Sequence, residues 1–260
     1  MCWRSRGVMI LVRMDYCYSS RFYKRYTTII VEGMDTFKRR GAKYSRITYR
    51  LPRERLDADV ALLLGLHVGD GWLSDKWGIM CEKVEGSMIN WITRLVREVL
   101  GVEPMIGEYK EGEIMIRSGQ RQVLDFFRDY GLPQGRKAGR VRIPKQVLGS
   151  DNPAIAKAFL RGLFSADGCF SFQNSRGPRV EIQVKSQKLR DDFVYLAGQL
   201  GFSFRSYEYF PPRGKNKAPL QVAYTTRTSQ CVRWMEGIGS IKDSHIQRYR
   251  YWKKLKERKR

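Results

Sequence analysis

At 260 residues the chain is long enough to bury a large core and is better divided into two domains or repeats than packed as one small unit. Its 49 Lys and Arg against 26 Asp and Glu leave a formal charge of +23, and with aromatics at 12% this describes a folded, strongly basic protein and excludes a disordered tail. The excess is spread along the chain, which predicts a polyanionic partner, nucleic acid before a membrane surface.

No apolar run is long enough to span a bilayer, and VMILV near the N-terminus is too short and poorly flanked for a signal peptide, so an intracellular, non-secreted protein is expected. Five cysteines (Cys2, Cys17, Cys81, Cys169, Cys231) without a C-x-x-C pair, and only two histidines, His67 and His245, indicate neither a zinc site nor a disulfide framework.

In chain order, residues 1–55 carry 14 Lys and Arg against 4 Asp and Glu, ten of the net positive charges, and read as a basic N-terminal extension. Within it YTTIIVEG and SRITYRL are predicted strands joined by MDTFKRRGAK, with a disordered leader the alternative for the opening stretch. Residues 56–150 open on an apolar helix through LLGLHVGDG. Strands in WLSDKWGIMCEK, a helix in INWITRLVREVLG, a hairpin across MIGEYKEGEIMIRS and a helix in RQVLDFFRDYG follow. Residues 151–250 repeat that order. A helix ends at LRGLFSADG, the hairpin CFSFQNSRGPRVEIQVKSQ alternates apolar and polar residues, and a helix over residues 189–200 follows. RSYEYF and LQVAYTTR flank the basic loop PPRGKNKAP, and a last amphipathic helix holds Val232, Trp234 and Met235. Residues 251–260 are a basic tail. The expected fold is α+β: two αββαββα repeats, each with an antiparallel sheet that has one face on helices and the other free.

The repeat is visible residue by residue. LLGLHVGDGWLS at 63–74 aligns without a gap on LRGLFSADGCFS at 160–171, at a constant offset of 97. An isolated Asp-Gly would read as a turn with a left-handed glycine. Two copies in register call for a shared cause. Gly65 and Gly69 lie four apart, as do Gly162 and Ala166, so each helix has a flat strip where another backbone can approach. If the strips cross with both C-termini pointing the same way, Asp70 and Asp167 emerge side by side, two carboxylates at two negative helix ends. A divalent cation relieves that repulsion, and oxygen-only ligation favours Mg²⁺.

LLGLHVGDG and LRGLFSADG resemble the signature of the LAGLIDADG homing endonucleases, over about residues 56–250. Leu63, Gly65, Leu66, Asp70 and Gly71 match in the first copy, and Leu160, Gly162, Leu163, Ala166, Asp167 and Gly168 in the second; the sixth position departs in both, as Val68 and Ser165. The resemblance implies a monomer with pseudo-twofold symmetry whose two sheets form a saddle over duplex DNA. It also implies a double-strand break in a long asymmetric site, short 3′ overhangs, and a role in intron homing. It places the metal at Asp70 and Asp167, with Gly69 and Ala166 beside them, binding Mg²⁺, with Mn²⁺ able to substitute and Ca²⁺ binding without supporting cleavage. Catalytic roles carry over to Lys137 in GLPQGRKAGR, Lys242 in GIGSIKDSH and Gln187 at the end of the second strand, with Glu82 as its counterpart in the first repeat. An intein with its own splicing domain is not expected, since neither chain end has that pattern.

Outward hairpin residues suit major-groove reading. In the second repeat these are Ser171, Gln173, Arg176, Arg179, Glu181, Gln183, Lys185, Arg205, Tyr207, Arg213, Lys215, Lys217 and Arg227, whereas Glu108, Glu111 and Glu113 make the first repeat's second hairpin too acidic for phosphate. His67 is expected to pack at the helix interface, and Cys81 and Cys169 as small core residues. The alternative on the same scaffold is an RNA maturase, with intron RNA as partner, or a non-cleaving DNA-binding regulator.

Overall fold

The structure, a computed structural model, describes residues 2–5, 8–15, 26–31, 55–81, 86–110, 113–173, 177–210 and 219–258. The chain divides into two units, Met1–Arg50 and Leu51–Arg260. In the first, β1 (Cys2–Ser5), β2 (Val8–Asp15) and β3 (Tyr26–Val31) form an antiparallel sheet in the order β1-β2-β3. The expected strand in YTTIIVEG corresponds to β3; β1 and β2 stand where no strand is predicted, and SRITYRL lies outside the described residues.

The second unit opens with α1 (Ala58–Asp70), started by Asp57, whose Oδ1 accepts the Val60 amide at 2.9 Å. Then come β4 (Trp72–Leu73), β5 (Gly78–Cys81), α2 (Gly86–Leu100), β6 (Met105–Lys110), β7 (Glu113–Ser118), α3 (Arg121–Asp129) and the single turn α4 (Lys145–Leu148). The series restarts at α5 (Pro153–Asp167), capped by Asn152 with proline in its first turn, where a missing amide costs nothing. It continues through β8 (Gly168–Gln173), β9 (Gly177–Val184), α6 (Gln187–Gln199), β10 (Arg205–Tyr209), β11 (Leu220–Thr225), α7 (Thr228–Gly237) and α8 (Asp243–Glu257). The two four-stranded antiparallel sheets have the same plan, β4-β5-β7-β6 and β8-β9-β11-β10, with the second strand of each hairpin at the centre.

Both α1 and α5 are apolar nearly all round because each is covered on opposite sides. Leu63, Leu64 and Leu66 of α1 and Phe159, Leu160, Leu163 and Phe164 of α5 are all buried in one core. The strands bury one face only: along β9, Pro178, Val180, Ile182 and Val184 are buried and the residues between them are not. Between the repeats the chain is clipped to α6. Arg142 makes a two-pronged ion pair with Asp192 (2.8 and 3.1 Å), the Ile143 amide donates to the same carboxylate, and the buried Ser186 hydroxyl donates to the Val141 carbonyl at 2.7 Å.

The segment read as a basic tail belongs largely to α8. Its stripe His245, Tyr249, Trp252 at spacings of four and three is buried, with Tyr249 and Trp252 edge-on to Phe170 of β8. Lys and Arg dominate the local composition and mask a stripe only three residues long. Among the described residues no helix is long and apolar enough to cross a membrane.

Candidate metal and nucleic-acid site

The site is built on the crossing of α1 and α5, and the crossing is reciprocal. A Cβ on Gly65 would run into the carbonyl of Phe159 and stand 2.9 Å from the Leu163 amide nitrogen; one on Gly162 would run into the carbonyl of Leu62 and stand 2.8 Å from the Leu66 nitrogen. Phe159 and Leu163 are the counterparts of Leu62 and Leu66 at the same offset of 97, so each helix meets the other through equivalent atoms. One turn on, a Cβ on Gly69 would collide with that of Ala166 and lie 3.4 Å from Asp167 Oδ2.

The glycines after the two aspartates have another purpose than the left-handed turn usual for Asp-Gly. Gly71 (φ −78°, ψ 161°) and Gly168 (φ −89°, ψ 167°) are both extended. Their side-chain space is filled by aromatic rings of equivalent residues, His67 under Gly71 and Phe164 under Gly168. His67 does not face the helix crossing. It stacks on Phe127 of α3 at 4.0 Å, its ring nitrogens buried without hydrogen-bond partners, and burial, reinforced by Lys137, holds it neutral with its pKa well below the usual imidazole value.

At the common C-terminal end the Asp167 carboxyl is pushed up to about 7, first by burial and next by the Asp70 carboxylate, with Lys137 and Lys242 pulling the other way. Two carboxylates and two lysines therefore share one electrostatic site. The lysines are held differently. Lys137 Nζ donates to the carbonyls of His67 (2.8 Å), Val68 (2.7 Å) and Gly69 (2.5 Å), capping the negative end of α1. Lys242 is the N-cap residue of α8. Its loop hangs from Ser165, the position at which the second motif departs from the signature. Ser165 Oγ accepts the Ile241 amide at 2.9 Å and meets Ser240 Oγ at 3.1 Å; Ser240 Oγ in turn accepts the Lys242 amide and pairs with His245 Nδ1, both at 3.0 Å. Sequence reasoning does not reach that network, although the odd serine inside an apolar motif is its signal.

Gln187 does not end a strand. It is the exposed first residue of α6, because Ser186 accepts the Leu189 amide and starts the helix there. Glu82 lies outside the described residues, as do Arg176, Arg213, Lys215 and Lys217.

The remaining second-repeat candidates fall on the free face of its sheet or at its border. Register pairs Ser171 with Arg179, Glu181 with Tyr224, Gln183 with Val222, and Arg205 and Tyr207 with Tyr224 and Val222. Gln173, Gln183, Lys185 and Arg205 are exposed; Arg227 is the exposed N-cap residue of α7, beyond the hairpin. Arg179 is already oriented: it is paired with Glu181 at 2.6 Å, donates to the Tyr207 hydroxyl at 3.1 Å and lies over the Tyr224 ring at 4.3 Å. Cys169 is on this face too, not in the core, half-buried across from Glu181 and 3.9 Å from Arg248 of α8. In the first repeat register runs Trp72, Ile79, Arg117, Met105 in one row; Trp72 and Met105 are exposed, and Arg117 lies over the Trp77 ring at 4.9 Å.

Residues 154–234, from α5 into α7, match the family described as LAGLIDADG-like domain. Among curated proteins, 152 residues are 27% identical to a component of the A-type ATP synthase of Pyrococcus abyssi, covering 58% of this chain and 14% of that protein. A stretch of 151 residues is 28% identical to a DNA polymerase of Thermococcus sp., covering 54% and 8%. The chain thus spans a small part of the relatives it matches. Among solved structures, full-length DUF199/WhiA from Thermatoga maritima shares the fold at 16% identity and a TM-score of 0.50, over 80% of this chain and 63% of that one. I-DmoI in complex with DNA and Mn aligns at 16% identity and a TM-score of 0.49, over 71% and 98%.

Proposed function

We propose that the chain, whose residues 154–234 match a LAGLIDADG-like domain, is a metal-dependent, site-specific DNA endonuclease that cuts both strands of a long asymmetric duplex. The observation that carries the reading is the reciprocal glycine crossing, which delivers Asp70 and Asp167, with Lys137 and Lys242, to one end of the helix pair. A plain structural turn would need neither a second acid nor the two cations.

The donor set fits a hard divalent cation. Two carboxylates, with the backbone carbonyl of Ala166 beside them, offer oxygen alone, whereas the Gly69 carbonyl accepts Lys137; among the described residues no group of three or more His, Cys, Asp and Glu is gathered to hold a metal ion. A Mg²⁺ ion bound there would acidify a water and neutralise charge growing on the phosphate. The protein's own part is to hold the two acids against their repulsion, using Lys137 and Lys242 as fixed positive charges beside the phosphate, and to orient the duplex through Arg179 and its sheet neighbours. The matched stretch is 14% of an ATP synthase component, 8% of a DNA polymerase and 7% of a replication factor.

The test is to select a site from a randomised duplex library and follow cutting with the wild type, Asp70→Asn and Asp167→Asn. Mg²⁺ should support double-strand cleavage by the wild type, Ca²⁺ binding alone, and either substitution should lower double-strand cutting on the order of a hundredfold or more. Unchanged cutting by both variants would refute the site. Binding without cutting by the wild type, together with stimulated splicing of an intron RNA, would establish the maturase alternative.

A further inference from the structure

We propose that α8 is a second phosphate-binding element, tracking the DNA backbone along the flank of the second repeat and giving the protein a lopsided footprint. This rests on the duplex-binding reading above and goes beyond it, because α8 follows the repeated elements. After α3 the first repeat offers only the four-residue α4 before α5 begins.

Three observations converge. The helix starts at Lys242, already at the acid pair, and its 15 residues extend about 22 Å from there. Its buried stripe fixes its rotation about its axis. With His245, Tyr249 and Trp252 inward, the side chains of Arg248, Arg250, Lys253, Lys254, Lys256 and Arg258 are exposed. The flank that faces the reading surface can be identified: Arg248 reaches Cys169 on the free face of β8, while Lys253 is tied to Glu236 on the other side at 2.9 Å. Helical spacing carries the Arg248 flank on through Tyr251 to Arg258, and Lys254 lies beside Arg258 on the outward face, opposite the buried stripe. Leaving out Lys253, which Glu236 engages, five exposed cations against Asp243 and Glu257 remain on a helix docked at the sheet edge. A phosphate backbone leaving the acid pair is the polyanion that matches its length and direction.

The experiment compares the wild type with Arg248→Gln/Lys254→Gln/Arg258→Gln and with a charge-preserving Arg248→Lys/Lys254→Arg/Arg258→Lys. Binding to duplex DNA of random sequence is measured in Ca²⁺ across a salt series, with circular dichroism and melting to check the fold. The expected result is a salt slope shallower by about 2 to 3 in the Gln variant, at about 0.9 per lost phosphate contact, and an unaltered slope in the charge-preserving one. On a selected site, hydroxyl-radical protection should be lost on one flank of the cut only. An unchanged slope with wild-type binding intact would overturn the role of α8, and so would a loss seen equally in both variants or only with structured RNA. A wild type that binds no duplex would instead overturn the endonuclease reading itself.

Discussion

Asp167 illustrates how a single side chain can be costly to the fold and useful to the site. Its pKa is raised from 3.8 to about 7 because the folded protein partly buries it beside another carboxylate, so the folded state favours the proton that the unfolded chain releases. The stabilising effect of that proton is complete below the unfolded value and disappears as pH rises through the folded one. Without metal, the stability of the wild type relative to Asp167→Asn should therefore decline between about pH 4 and about 7, by a few kcal/mol, and level off above. Saturating Mg²⁺ should cancel most of the decline, and thermal melts at matched ionic strength across that window would measure both effects. Lys137 acts on the same site from the opposite sign. Lys137→Met removes three hydrogen bonds from the end of α1 and should cost about 1–3 kcal/mol in chemical denaturation, in addition to any loss of cleavage.

At the scale of elements, the crossing of α1 and α5 tolerates almost no change. Backbone, not a flexible side chain, fills the space beside Gly65 and Gly162, so a methyl at either position must push the helices apart. Gly65→Ala and Gly162→Ala should each destabilise by about 3 kcal/mol or more, at the upper end of what overpacking costs. They should also weaken metal binding, because the acids separate with the helices. The aligned motifs reveal which faces touch. They do not reveal that Ser165 suspends the Lys242 loop, since that depends on Ser240 and Ile241 arriving from 75 and 76 residues downstream.

Across the Leu51–Arg260 unit, the two repeats share a plan but not a surface. The second sheet offers a tethered Arg179, with Gln183, Arg205 and Tyr207 around it, whereas the row across the first offers exposed Trp72 and Met105 and an arginine engaged by Trp77. Polar groups with free donors and acceptors discriminate bases; thioethers and indoles do so weakly. Sites recovered by cleavage selection should accordingly show most of their sequence information in one half. Arg179→Ala should relax preference there by about 1–3 kcal/mol at a base pair, and a profile equally sharp in both halves would contradict the asymmetry.

Periodicity and the repeat were enough, by themselves, to determine the αββαββα order, the two apolar helices and the choice of small residues where they cross. These are properties of neighbours in sequence, set by side-chain spacing of four along a helix and two along a strand. Only the tertiary structure decided what depends on distant segments meeting. Gly71 and Gly168 yield to rings one turn back, Gln187 opens a helix because Ser186 caps it, and the basic C-terminal stretch is a docked helix because Phe170 offers it an apolar edge. Charge and hydropathy average over such contacts; packing resolves them one residue at a time.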